Sequence, residues 1–333
     1  MSAGRHGRGS KMHYPSAVFL VMSRLQCGNR REFLQAALAT SALAQGAQHL
    51  PAANIIDTHT HFYDPSRPQG VPWPPKSDAI LYKTTLPARY RDLVRPLGVR
   101  GTIAIEADAW LEDNQWVLDL AKDNPIIVGF MGHLEPGKPE FRQHLARFGR
   151  NPLFRGIRLN DRAIASGLRQ AAFVEDLQRL VDRDLALDTI GDAPLYADLV
   201  TLTDKVPKLR MIIDHMPLDA PADPQTRLQA TAALRHLGQR PLVYSKVSGV
   251  LRRVNGVVPS DVKFYRKSLD ELWVTFGPDR LVYGSNWPVS DHLAPYATVL
   301  KVVQEYFATK GAEASEKYFW RNSAAFYKWR ART

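Results

Sequence analysis

The chain has 333 residues, 45% hydrophobic and 23% charged, which suits one large α/β domain with terminal additions and excludes large-scale disorder. Its formal net charge is +11; residues 1 to 44 hold +5 of it (Arg5, Arg8, Lys11, Arg24, Arg30 and Arg31 against Glu32), leaving +6 with no Lys/Arg run longer than a pair. That balance fits attraction of anionic substrates or a solvated basic surface, no motif supports nucleic-acid binding, and the lone Cys27 excludes both a disulfide framework and a thiolate metal site.

In chain order, "NRREFLQAALATSALAQGA" (29 to 47) comes first. Twin arginines, a mild Ala/Leu run and Ala42-Leu43-Ala44 stand in the order of a twin-arginine export signal cut near Ala44, with residues 45 to 53 as linker. An Ala-rich amphipathic helix is the bland alternative. The apolar run is about a dozen residues, too short to span a bilayer. Met22 offers a more typical start for such a signal, in which case residues 1 to 21 would not be translated. The expectation is a periplasmic or secreted protein that leaves the membrane in its mature form and contains no cysteine.

From residue 54 a short β-branched run, a polar loop and a helical stretch alternate. Strands are expected at 54 to 59, 101 to 107, 125 to 132, 154 to 160, 185 to 190, 209 to 214, 242 to 248 and 280 to 285. Helical stretches between them include "EDNQWVLDLAKD", "AAFVEDLQRLVDR", "APLYADLVTLTDK" and "VKFYRKSLDELWVTFG". Eight βα units in about 260 residues predict a (β/α)8 TIM barrel, a single domain over residues 54 to 331 with a C-terminal helix. A doubly wound open sheet is the alternative, but no Gly-rich loop follows the first strand. The Pro-rich loop "YDPSRPQGVPWPPKSDAILYKTTLP" would lie over the C-terminal face as a lid or substrate wall, or be a plain stiffened surface loop.

Barrel active sites sit at the C-terminal strand ends, so polar residues there are candidates. By strand alternation Ile55, Asp57, His59 and His61 share a face, and two neutral imidazoles spaced i, i+2 can point at one divalent ion. His215, ending strand six in "IIDHMP", would complete a metal triad or be a satisfied core histidine. Glu106 in "AIEADAW" reads as a ligand, a base or the partner of a nearby cation, and His133 as structural. Arg158 and Lys246 are cations near inward-facing strand ends that need a site carboxylate or a substrate anion or carbonyl. Lys246 and Ser248 fall on one face.

Taken together, "IIDTHTHFYDP", "EADAWLEDNQWVLDLA", "RGIRLN", "IIDHMP", "YSKVSG" and "LVYGSNWPVSD" resemble the amidohydrolase superfamily. The nearer likeness is to its amidohydrolase-2 branch of sugar-lactone and pyrone-dicarboxylate lactonases, over roughly residues 54 to 330. The resemblance implies a site lined by His59, His61 and His215, holding zinc in many members and dispensing with metal in some. It also implies an aspartate on strand eight that activates water, and that position is Asn286 here. An amide neither takes a proton nor offsets a dication. Glu106, Asp291 or His215 would then supply the base, with Arg158 and Lys246 polarising a carbonyl and Trp287 beside the substrate.

The expected function is therefore an exported hydrolase that opens a lactone or cyclic ester of a small carboxylate or sugar acid with activated water. A metal-dependent decarboxylase of the same superfamily and a non-catalytic small-acid-binding relative are the alternatives. The partner expected is an anionic or lactone small molecule, with a homo-oligomer compatible.

Overall fold

A computed structural model describes residues 54–216 and 223–332. The export signal and linker read from the sequence lie outside the described residues. Eight strands form one parallel sheet in sequential order: β1 (Ile55–Thr60), β2 (Val99–Ile105), β3 (Ile127–Gly132), β4 (Phe154–Asn160), β5 (Ala186–Ile190), β6 (Met211–Ile213), β7 (Val243–Val247) and β8 (Leu281–Tyr283). The sheet closes where Thr60 bridges Trp287, His61 N–H donates to the Trp287 carbonyl at 2.9 Å, and the Thr58 hydroxyl donates to the Tyr283 carbonyl at 2.6 Å. This is the (β/α)8 barrel that the repeat predicts.

Two apolar layers hold it. Ile56, Ile103, Val128, Met131, Ala186, Ile212 and Val282 fill the interior. Phe326 and Tyr327 of the closing helix Asn322–Tyr327 join them, and Arg155 and Arg210 donate to the Tyr327 and Phe326 carbonyls, fixing that helix under the strand starts. The floor is thus a packed plug, and only the opposite mouth is left for chemistry. The larger layer lies between strands and helices, where the helix Ala171–Asp182 buries Phe173, Leu177 and Leu180 on one face at i, i+4 and i+7 spacing. No described helix is long and apolar enough to cross a membrane.

Strand alternation fails in β1. The pairing with β2 shifts between Asp57 and Thr60, a bulge-type irregularity that breaks the period of two. Asp57 turns towards the helices and accepts from Tyr90 OH (2.9 Å), Tyr296 OH (3.0 Å), Ser285 N–H (2.8 Å) and Ser285 Oγ–H (2.6 Å). His59 lies beside Lys246, on the other side. The expectation that Asp57 and His59 share a face is corrected, and Asp57 serves as the tie between β1 and the β8 turn.

Candidate active site

Each candidate sits at a strand end because the backbone there bends sharply. His215 (φ 64°), Gly249 (φ 60°) and Asn286 (φ 60°), after β6, β7 and β8, all take the left-handed conformation, which Asn tolerates better than most residues. At Gly284 a Cβ would lie 2.9 Å from the Cβ of His59 and 3.2 Å from Cγ of Lys246. Glycine there lets three strands approach.

The structure brings His59, His61 and His215 together, with ring centroids 5.0 Å apart for His59 and His61 and 4.6 Å for His59 and His215. His61 Nδ1 lies 3.2 Å from the Ile105 carbonyl and 3.1 Å from that of Glu106. His215 Nδ1 is 3.0 Å from Ser248 Oγ, which also accepts the His215 backbone N–H at 3.2 Å. All three imidazoles are held neutral. Burial, helped by the Lys246 charge, holds His59 well below its ordinary value, burial and Arg158 do the same to His61, and burial lowers His215 to about 4.

Lys246 is not a substrate ligand. Its ammonium is fully buried, 2.7 Å from Asp188 Oδ2 and 2.8 Å from Asp214 Oδ1, with His59 Nδ1 at 3.5 Å. Tyr327, on the plug, donates to Asp188 at 3.0 Å. Asp188 and Asp214 escaped the sequence reading, although a cation inside a barrel demands such partners. Their signal was the Asp within the apolar strand "LALDTI" and the Asp just after the apolar strand in "IIDHMP".

Glu106, left open between ligand, base and partner, is a partner: its Oε1 accepts from Arg158 Nε at 2.7 Å and its carbonyl accepts from Arg158 Nη2 at 3.0 Å. Arg158 Nη1 makes only a 4.0 Å contact with Asp214, so that donor has capacity left for a substrate oxygen. Asp291 pairs with Arg89 at 3.3 Å instead of joining the histidines. Trp287 is placed differently from the expected substrate contact: its indole packs on the helix side, 5.2 Å from Tyr90 and 6.3 Å from Phe62, with Arg89 over its ring. A different tryptophan reaches the mouth. Trp73, half-buried in the Pro-rich loop, stands edge-on to His61 at 5.5 Å, and an antiparallel bridge between Tyr63 and Thr85 pins the base of its loop. The Asn286 side-chain amide makes no hydrogen bond among the described residues, and His133 is held by its backbone to Asn114.

Three neutral imidazoles are by chemistry a donor set for zinc. As arranged they do not fit one. His59 Nδ1 faces an ammonium, residue 286 is a neutral amide, and among the described residues no three His, Cys, Asp or Glu side chains group as a metal ion requires. The expected His59, His61 and His215 triad is thus a cluster of imidazoles rather than a formed metal site.

Comparison with known proteins identifies the family of this barrel. The profile of the amidohydrolase family (amidohydrolase-2) matches residues 56–329. An L-fucono-1,5-lactonase of Burkholderia ambifaria is 27% identical over 282 residues, covering 82% of this chain and 95% of that protein. An amidohydrolase of Burkholderia multivorans, solved with bound zinc, superposes with a TM-score of 0.73 at 25% identity, covering 84% of this chain and 100% of its own. A Pseudomonas putida protein assigned as a 2-pyrone-4,6-dicarboxylic acid hydrolase shares the fold, with a TM-score of 0.63 at 21% identity over 83% of this chain and 98% of its own. Because the profile match runs from the second residue of β1 through every strand to the C-terminal plug, the chain belongs to the amidohydrolase family.

Proposed function

We infer that this protein hydrolyses the ester bond of a lactone of a small sugar acid or cyclic carboxylate. The observation that carries the reading is the gathering of three neutral imidazoles beside Arg158 at the end of the barrel opposite the plug, in a family with lactonase relatives. Water attacks the lactone carbonyl. His215, half-buried and neutral above about pH 4, takes the proton from that water and can return it to the departing ring oxygen. The carbonyl oxygen gains negative charge as it becomes tetrahedral, and the donors we assign to it are Arg158 Nη1, which has capacity left, and the Asn286 amide N–H. Trp73 walls the mouth over His61.

An aspartate at position 286 would compete with His215 for the proton, whereas the amide leaves the imidazole as the accessible base. An enol or sugar alkoxide leaving group suits such a site, because it departs without a strong Lewis acid. Action in the periplasm or outside the cell is proposed on the Arg30-Arg31 pattern and Ala42-Leu43-Ala44 alone.

The test is base uptake by the full chain on a panel of five- and six-membered sugar lactones, with 2-pyrone-4,6-dicarboxylate included and calorimetry on the corresponding open acids. Turnover above the spontaneous rate on at least one lactone is expected. Tight binding of an open acid with no lactone turned over would make the chain a binding relative, and carbon dioxide release from an aromatic acid would make it a decarboxylase.

A further inference from the structure

The three imidazoles are not equivalent, and the atoms around them assign the proton on two. His61 Nδ1 faces two backbone carbonyls, which only accept, so that nitrogen carries the hydrogen and Nε2 carries the lone pair. His59 has the opposite surroundings. Its Nδ1 is 3.5 Å from the ammonium of Lys246, a group that only donates. Lys246 is fully buried: one of its N–H bonds goes to Asp188 at 2.7 Å, Asp214 lies 2.8 Å away as an ion-pair partner without hydrogen-bond alignment, and the His59 lone pair is the acceptor within reach of a second N–H. Asp214 Oδ1 also lies 3.7 Å from His59 Nδ1 and could accept a hydrogen there. That arrangement would aim the hydrogen beside an ammonium and remove His59 as an acceptor for Lys246.

We propose that Lys246, anchored by Asp188 and Asp214, is a positioning residue that fixes His59 as the Nε2–H tautomer, so that His59 donates into the imidazole cluster while His61 offers a lone pair. The other side of the ring supports this: buried His59 Nε2 has no hydrogen-bond partner among the described residues. Its N–H calls for an acceptor-only oxygen, which on the lactonase reading is the substrate carbonyl. A nitrogen bearing hydrogen has no lone pair for a metal, which is a physical reason for the cluster not being a metal triad.

The test is a long-range proton–nitrogen correlation spectrum of the full chain labelled with 15N-histidine, with His59 and His61 assigned by the signals lost in His59→Gln and His61→Gln. Wild type should show His59 with a bare Nδ1 and a protonated Nε2, and His61 with the reverse. In Lys246→Met, His59 should change to Nδ1–H, now facing Asp214 alone, while His61 keeps its pattern. A protonated Nδ1 on His59 in the wild type overturns the proposal even if the variant fails to fold, and an unchanged His59 in a folded Lys246→Met removes Lys246 as its cause. The readout needs no turnover, so a chain inert to every lactone would sink the functional reading while leaving the tautomer assignment to stand or fall by its spectrum.

Discussion

Lys246→Met offers a stability test worked from the structure. The variant removes a fully buried ammonium from between Asp188 and Asp214, both fully buried, and from over the Tyr327 ring at 5.5 Å. Breaking a buried ion pair by deleting one partner costs about 3–5 kcal/mol, because the other charge is left uncompensated. Asp188 limits that loss. Burial, opposed by Lys246 and reinforced by Asp214, already pushes its carboxyl up to about 7, so without the ammonium it takes a proton. Asp214 keeps a distant Arg158 at 4.0 Å. The low end, about 3 kcal/mol, is therefore expected, a fall in Tm of roughly 6–12 °C for a barrel of this size. Adding Asp188→Asn should recover part of the loss, since the second change removes a group that the first one stranded. Urea titrations of wild type, both single variants and the double variant give the coupling. A Lys246→Met cost within about 1 kcal/mol, or strictly additive losses, would refute the network.

Acidification should also remove the stability that the buried neutral imidazoles contribute. A histidine depressed in the folded state is neutral there while the unfolded chain protonates at its ordinary 6.5, so stability is complete above 6.5 and is lost as the pH falls towards 4. His215 alone contributes up to about 3 kcal/mol, with His59 and His61 acting in the same sense. Asp188, raised to about 7 by burial, works in the opposite sense over this range, so the His215 share is read as a difference: the loss of urea-derived stability from pH 7.5 to 5.0 should be about 2 kcal/mol smaller in His215→Asn than in wild type, and an equal change in the two would show that His215 is not buried neutral. Asp291→Asn should leave kcat within about threefold and cost at most about 1 kcal/mol, because its pair with Arg89 is partly exposed at 22% and 34%. A hundredfold loss would return Asp291 to the role of base. Elemental analysis of the purified full chain should find zinc well below one ion per chain, with lactone turnover retained in EDTA. One tightly held zinc that disappears in His59→Gln would contradict the donor assignment.

The architecture was legible from the repeat alone. All eight expected strands overlap the observed ones, and β4 matches residue for residue at Phe154–Asn160, because each buried strand is a β-branched run bounded by turn residues. The histidine cluster was legible for the same reason, since strand ends of a barrel converge. Side-chain direction was not. The irregularity after Asp57 reverses one strand face without any Gly or Pro to mark it. Partnership was harder still: Lys246 meets Asp188 across the barrel, 58 residues away in sequence, and Glu106 meets Arg158 at a separation of 52. Such pairings depend on closure and shear rather than on local pattern. Trp287 looked like a mouth residue because it follows Asn286, yet the left-handed turn at Asn286 sends its indole to the helix side, and the loop tryptophan Trp73 takes the place over His61.

The central claim is that a neutral imidazole at the barrel mouth drives lactone hydrolysis. The most direct measurement is the pH-stat kcat on the best lactone of the panel, such as L-fucono-1,5-lactone, for wild type and His215→Asn, since asparagine accepts the left-handed backbone at that position. Loss of about a hundredfold in kcat, with the fold intact and KM little changed, is the predicted result. Equal kcat in the two proteins would contradict it.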